Sequence, residues 1–436
     1  PDGTEIAFTS DRDGGNNLWR MRADGSNPVQ VTKERFRLLN NPAWTPDGQY
    51  LVGRKHFTGL RSLGAGELWL YHRDGGEGLQ LTKQKNDQQD LGEPAVSPDG
   101  RYVYFSEDVS PGPSFQYNKN PHGLIYAIKR LDRETGAIET LVASAGGAVR
   151  PQPSPDGRTL AFVKRLREKS VLHLLDLESG IVRPLWDGLE RDQQEGWAIF
   201  GPYANFDWTP DGRALVVWGR EGRFWRVDAV SGEATNIPFE AEVELQVTEA
   251  PRQQKVLPQG EFTPRMVRDV ATSPDGRRVL FHAVGRLWLK EGEGRPRALT
   301  AAEDRFEYQP AFSPDGRRVL FTTWNDERRG QVVERELASG RERVLSSEPG
   351  VYASPRYSPD GRRIVFTKDG GHALIGGAYD RDAGVYLLEP GSAPRRIAER
   401  GRDPQFSADG QRVLFLTGGG IAKKLMSVGL HGEQPR

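Results

Sequence analysis

Cysteine is absent from the 436 residues, which excludes disulfides, thiolate metal sites and a cysteine nucleophile. Net charge is absent as well, because 60 Lys and Arg balance 60 Asp and Glu. That balance argues against the clustered positive field that a general nucleic-acid or anionic-membrane surface requires. No apolar run approaches the roughly 18 residues of a membrane-spanning helix, and no segment keeps an amphipathic helical period. Neither nucleic-acid binding nor membrane insertion is expected. Histidine is scarce at seven copies, none in His-x-His or His-Glu-x-x-His spacing, so a zinc or dinuclear hydrolase site is not visible. Gly-x-Ser-x-Gly, the serine-hydrolase elbow, is also missing. The chain is expected to carry no catalytic residues, no metal and no cofactor of its own.

Turn formers are plentiful instead. With 51 Gly and 30 Pro, their share is about 19 %, well above the ~12 % of an average chain. Much of the excess sits in one tripeptide. "PDG" begins at Pro1, Pro46, Pro98, Pro155, Pro210, Pro274, Pro314 and Pro359, and a variant "ADG" begins at Ala408. The nonapeptide "SPDGRRVLF" occurs twice, from Ser273 and from Ser313. Nine corners spaced 40 to 64 residues apart give a period of about fifty, the range of propeller blades. In each corner Pro presets φ, Asp suits the second central position, and Gly accepts the positive φ that closes a hairpin.

A β-rich run follows every corner, as in "RYVYFSE", "RTLAFVK" and "RRVLFTT". Three or more consecutive apolar residues predict a strand covered on both faces, so the sheets must stack. A second and a third strand follow, as in "GELWLYHRDGG" then "LQLT", and a short stretch such as "GEPAVSPDG" leads to the next corner. The predicted fold is all-β: a β-propeller of nine four-stranded blade repeats. Nine exceeds the usual four to eight blades of one ring. The longest interval contains "IPFEAEVELQVTEAPRQQKVLPQGEFTPRMVRDV" without a regular turn signal. The expected division is five units in 1–238, a connector in 239–272 and four units in 273–436, forming two propellers. The chain opens inside a unit and reads as cut from something longer.

The aromatic or aliphatic residue, Ser-Pro-Asp-Gly and buried strand together resemble the TolB-type propeller repeat, over essentially the whole chain. More narrowly, "GAIETLVASAGGAVRPQPSPDGRTLAFVKR" and "RPLWDGLERDQQEGWAIFGPYANFDWTPDG" resemble the propeller region preceding the metal-dependent hydrolase domain of amidohydrolase-family proteins. The resemblance implies a scaffold or substrate-gating region of a larger hydrolase, whose divalent metal would belong to a domain outside this chain. The alternative it implies is a stand-alone TolB-like module that binds a protein or peptide in the cell envelope. Either favours a periplasmic or secreted location.

Two features could carry recognition. The residue before the inner strand of each unit tends to face a propeller's channel: Asn41, Glu93, Arg150, Asn205, Arg268, Gln309, Ser354 and Asp403. This polar set of mixed sign suits water or a polar peptide, or serves to satisfy strand-end amides. The second feature is a pair of insertions, from Glu107 and from Asp187, presenting Phe115, Tyr117, Trp197, Ile199, Phe200 and Tyr203. Aromatic loops either pack on their own scaffold or dock a partner. Trp197 and Phe200 are the expected anchors for a catalytic domain of the same polypeptide. Asp11 and Asp13 open like a calcium loop, but Gly15 stands at the third acidic position and no Glu closes it, so a solvated turn is expected.

Overall fold

The structure, a computed structural model, describes residues 2–58, 64–113, 120, 122–166, 169–190, 205–252, 260–370 and 380–433. Among the described residues its regular structure is antiparallel β-sheet, apart from a short 3-10 turn at Arg220–Gly222. Nine sheets follow one another along the chain, here numbered 1 to 9. Sheets 2 to 8 have four strands each, and sheets 1 and 9 have three among the described residues. Two compact units result, Pro1–Leu245 with sheets 1 to 5 and Gln246–Arg436 with sheets 6 to 9.

Stacking is written into the apolar runs. In sheet 7, Val319 and Phe321 pack toward Leu280 and Leu289 of sheet 6, while Leu320 between them packs toward Ile364 and Phe366 of sheet 8. Successive side chains of a strand point to opposite faces, so one "VLF" run serves two interfaces. Seven buried clusters arise in this way, four within the first unit and three within the second, each joining consecutive sheets.

The corners fold alike. Ser273 Oγ donates to Asp275 Oδ1 at 2.5 Å and accepts the Arg278 N–H at 2.9 Å, while Asp275 Oδ1 also accepts the Arg277 N–H at 3.1 Å. Gly276 closes the turn at φ 69°. The serine hydroxyl thus ties the corner shut, a role its hydrogen-bonding capacity allows. These bonds to the ionised carboxyl, the Ser273 hydroxyl first, hold Asp275 below the usual carboxylate range. Consecutive corners also touch: a Cβ placed on Gly361 would lie 3.3 Å from the Pro314 ring, and one on Gly100 would lie 3.6 Å from Pro46. Proline of one repeat and glycine of the next fit together.

The first strand of sheets 2 to 9 leads into the corner. Residues 268–272, inside the segment expected to be a connector, form that leading strand for sheet 6. Residues 238–252 carry no strand.

Candidate functional site

The leading strands share a distortion. In sheet 2 the strand Leu38–Trp44 pairs with Tyr50–Thr58, and its register slips between Asn40 and Ala43. Corresponding slips fall between Gly92 and Ala95, Val149 and Gln152, Tyr308 and Ala311, Ala353 and Arg356, and Arg402 and Gln405. Two residues bulge out at each place, and the first has a left-handed backbone: Asn41 (φ 51°), Glu93 (56°), Arg150 (59°), Gln309 (53°), Ser354 (50°) and Asp403 (51°). A bulge of this type re-aims a side chain, and a non-glycine residue there is held at a cost of about 1–3 kcal/mol. The second bulged residue is proline in all six, Pro42, Pro94, Pro151, Pro310, Pro355 and Pro404. Proline brings no N–H to leave unpaired.

These residues therefore sit inside the leading strands rather than before them. Asn205 alone directly precedes its strand, Phe206–Trp208. In sheet 6 the bulge residue is Asp269 (φ 52°), one position after Arg268. Val270 stands there in place of proline, which removes the dipeptide that marks the position elsewhere. Trp197 and Phe200, with Phe115, Tyr117, Ile199 and Tyr203, lie outside the described residues.

Within each unit the bulges are linked from sheet to sheet. In the second unit Asp269 Oδ2 accepts the Gln309 N–H at 3.3 Å, Gln309 Oε1 accepts the Ser354 N–H at 2.7 Å, and Ser354 Oγ donates to Asp403 Oδ1 at 2.9 Å. Arg356 lies near both carboxylates; burial pushes its guanidinium down while Asp403 and Asp269 pull against that shift. In the first unit Glu93 Oε2 accepts the Arg150 N–H at 2.8 Å and the Ser106 hydroxyl at 2.9 Å. The Arg150 guanidinium stands 3.4 Å from Glu93 Oε1 and donates to the amide oxygen of Asn205. Burial pushes the Glu93 carboxyl up, against the opposing charge of Arg150. The side chain of one bulge thus satisfies backbone or side chain of the next. Much of the set's polarity goes into this belt.

The belt of the first unit borders a cavity of about 950 Å³ that draws residues from all five sheets. Asn41, Glu93, Arg150 and Asn205 form its polar part, and Phe8, Trp218 and Phe224 contribute aromatic surface. Trp218 is 49 % exposed. The amide oxygen of Asn41 is a buried atom without a hydrogen-bond partner. Polar groups on an aromatic wall are what an oriented organic ligand needs. Among the described residues no three or more His, Asp or Glu side chains are placed to hold a metal ion. The Asp11–Asp13 stretch is an exposed turn whose Arg12 lies over the Phe8 and Trp19 rings.

Sequence reasoning missed a second polar feature. Arg54, 1 % exposed, crosses from sheet 2 to the edge of sheet 3. It donates to both carboxylate oxygens of Asp90, to the Leu91 carbonyl at 2.9 Å and to Asn40 Oδ1 at 3.2 Å. Burial pushes the Asp90 carboxyl up and Arg54 opposes it. Gly66 makes the room, since a Cβ there would lie 2.5 Å from Asp90 Oδ1 and 2.7 Å from Arg54 Nε.

No family model matches the chain. An uncharacterized protein of Agrobacterium fabrum is 26 % identical over 226 residues, covering 49 % of this chain and 65 % of that protein. A TolB homolog of Chlorobium chlorochromatii is 28 % identical over 161 residues, covering 37 % and 31 %. YuxL, an uncharacterized peptidase of Bacillus subtilis, is 28 % identical over 148 residues, covering 25 % and 21 %. The chain spans less than two thirds of the length of each of these relatives. None of the three speaks for the narrower amidohydrolase resemblance.

Proposed function

The chain is built of TolB-like β-propeller repeats, and from that premise we propose that it is a non-catalytic binding scaffold. Its working surface is the cavity of the first unit, which takes an extended, polar polypeptide segment. The observation that carries this reading is the wall itself: Asn41, Arg150 and half-exposed Trp218 border one space of about 950 Å³. Tryptophan and arginine are the side chains that most often anchor a bound chain.

Peptides selected from a random phage-displayed library on the purified protein provide the probe. Binding in solution is expected to weaken at least about tenfold for Trp218→Ala, the loss of one anchor, and to stay unchanged for Arg356→Ala in the second unit. Failure to enrich any peptide, or equal binding by the Trp218→Ala protein, would sink the reading.

The scaffold also fits as a gating region in a larger hydrolase, the reading that the amidohydrolase resemblance implies. What favours it is the matched peptidase, in which the shared stretch is 21 % of the protein. On that reading the partner is a catalytic domain of the same polypeptide, and any divalent metal belongs to that domain. Full-length protein carrying Trp218→Ala would then show altered selection among substrates of different size, with turnover of the smallest one unchanged.

A further inference from the structure

At the sheet ends opposite the corners an ion pair recurs. The chain entering sheet 8 brings Glu348, whose carboxylate accepts from the Lys368 ammonium at 2.9 Å at the end of the second strand, Ile364–Lys368. The chain entering sheet 2 brings Glu34, which pairs with Lys55 of the corresponding strand, Tyr50–Thr58. The two lysines hold the same place in the register: Lys55 lies opposite Leu39 and Lys368 opposite Tyr352, each two residues ahead of the left-handed Asn41 or Ser354. Sheet 9 departs from this. Its entering chain brings Glu399, but the strand Arg412–Thr417 pairs Leu416 with Arg402, so the lysine's place falls to Thr417, which carries no charge.

A cavity of about 390 Å³ opens at that place, between sheets 8 and 9. Part of its wall is bare backbone at Gly384 and Gly401, where no side chain fits: a Cβ would lie 2.2 Å from the Ala398 carbonyl oxygen at Gly384 and 2.5 Å from the Phe415 ring at Gly401. Glycine at such points lets a ligand approach the main chain closely. The charged lining has both signs. Among the described residues Asp369, Glu399 and Arg400 border the cavity with no ion pair or side-chain hydrogen bond, while Arg402 donates to the Gly418 carbonyl. Lys424, opposite Thr417, stands outside the lining and has no ion pair among the described residues either.

We infer that this junction binds a free α-amino acid. The ligand's ammonium takes the place that Lys55 and Lys368 fill beside their glutamates, with Glu399 and Asp369 accepting, and its carboxylate is received by Arg400. Groups of both signs around one space favour a ligand of complementary charges over a singly charged one, and hydrogen bonds between ionised partners are the strong ones. The volume sits near the lower end of the ~300–1,000 Å³ of small-molecule sites, room for one amino acid rather than an extended chain. The site lies in the second unit and does not depend on what the cavity of the first unit takes.

Equilibrium dialysis of radiolabelled alanine against the purified protein tests this. The label should be retained and displaced by unlabelled lysine, whereas butylamine or acetate, each carrying one of the two charges, should need at least about tenfold higher concentration to compete, the loss of one charged contact. Glu399→Gln and Arg400→Gln should each weaken retention at least about tenfold, and Lys424→Met should leave it unchanged. Thr417→Lys, which puts into sheet 9 the lysine of sheets 2 and 8, should abolish retention while the amide of Val413, buried in the same strand, stays protected from exchange. No retention by the unaltered protein, or undiminished retention by folded Thr417→Lys protein, would overturn the proposal. Butylamine competing as well as lysine would overturn it too, in favour of a seat for a lysine side chain from another chain.

Discussion

Replacing Asp90 by Asn strands the guanidinium of Arg54 between two sheets. Arg54 is 1 % exposed, and the amide oxygen that replaces the Asp90 carboxylate, like the Leu91 carbonyl and the Asn40 side chain, is an uncharged acceptor. Removing one partner of a buried ion pair costs about 3–5 kcal/mol, because the charge left behind is desolvated. Little relaxation is available, since the pair fills the space left by Gly66. For a unit of this size 1 kcal/mol moves the melting temperature by roughly 2–4 °C, so a fall of about 6–20 °C is expected. The change should be confined to the first unit. Two units need not unfold in one step, so amide exchange in thermal or urea unfolding should be followed separately at Val52 and at Val365. A double variant, Arg54→Met with Asp90→Leu, should recover most of the loss, because an apolar pair of similar volume is often neutral. A loss below about 1 kcal/mol for Asp90→Asn, or a double variant as unstable as the single, would refute the reasoning.

Two further outcomes are expected. Val270→Pro installs in sheet 6 the residue that follows the left-handed position in the other bulged strands, and should stabilise the second unit by about 0.4–1 kcal/mol in urea unfolding by restricting the unfolded chain; a destabilised variant would show that this bulge is built differently. His56 is buried, and burial first, then the nearby Arg54 charge, pushes its imidazole down to about 4. A base with a depressed folded-state pKa contributes stability that is complete above its usual value near 6.5 and is lost as pH falls toward 4. The first unit should therefore weaken over that window, and His56→Gln should flatten the dependence; an identical pH profile in the variant would remove His56 as the cause.

How far the sequence could be read depends on where each contact partner lies along it. Corners and strands are local: Pro presets φ, Gly takes the positive φ, and apolar runs cover two faces, so nine sheets could be read from nine tripeptides. The bulges were half legible. Asn41, Glu93 and Arg150 each precede a proline four residues ahead of a corner, and in sheet 6, where valine replaces that proline, the pattern points to Arg268 while the left-handed residue is Asp269. The bonds that join Glu93 to Arg150, or Gln309 to Ser354, link residues more than forty positions apart, and nothing local announces them. Arg54 was hidden for a similar reason. A charged residue inside "YLVGRKHF" looks like one facing water, and only the space left by Gly66 and the nearness of Asp90 reveal a buried pair.

Hydrogen exchange of the protein with and without a selected peptide bears most directly on the binding account. Bound peptide should slow exchange along the cavity wall, at Ala7–Thr9, beside Arg150 and at Trp218. A footprint confined to the outermost strands or to the second unit would contradict it.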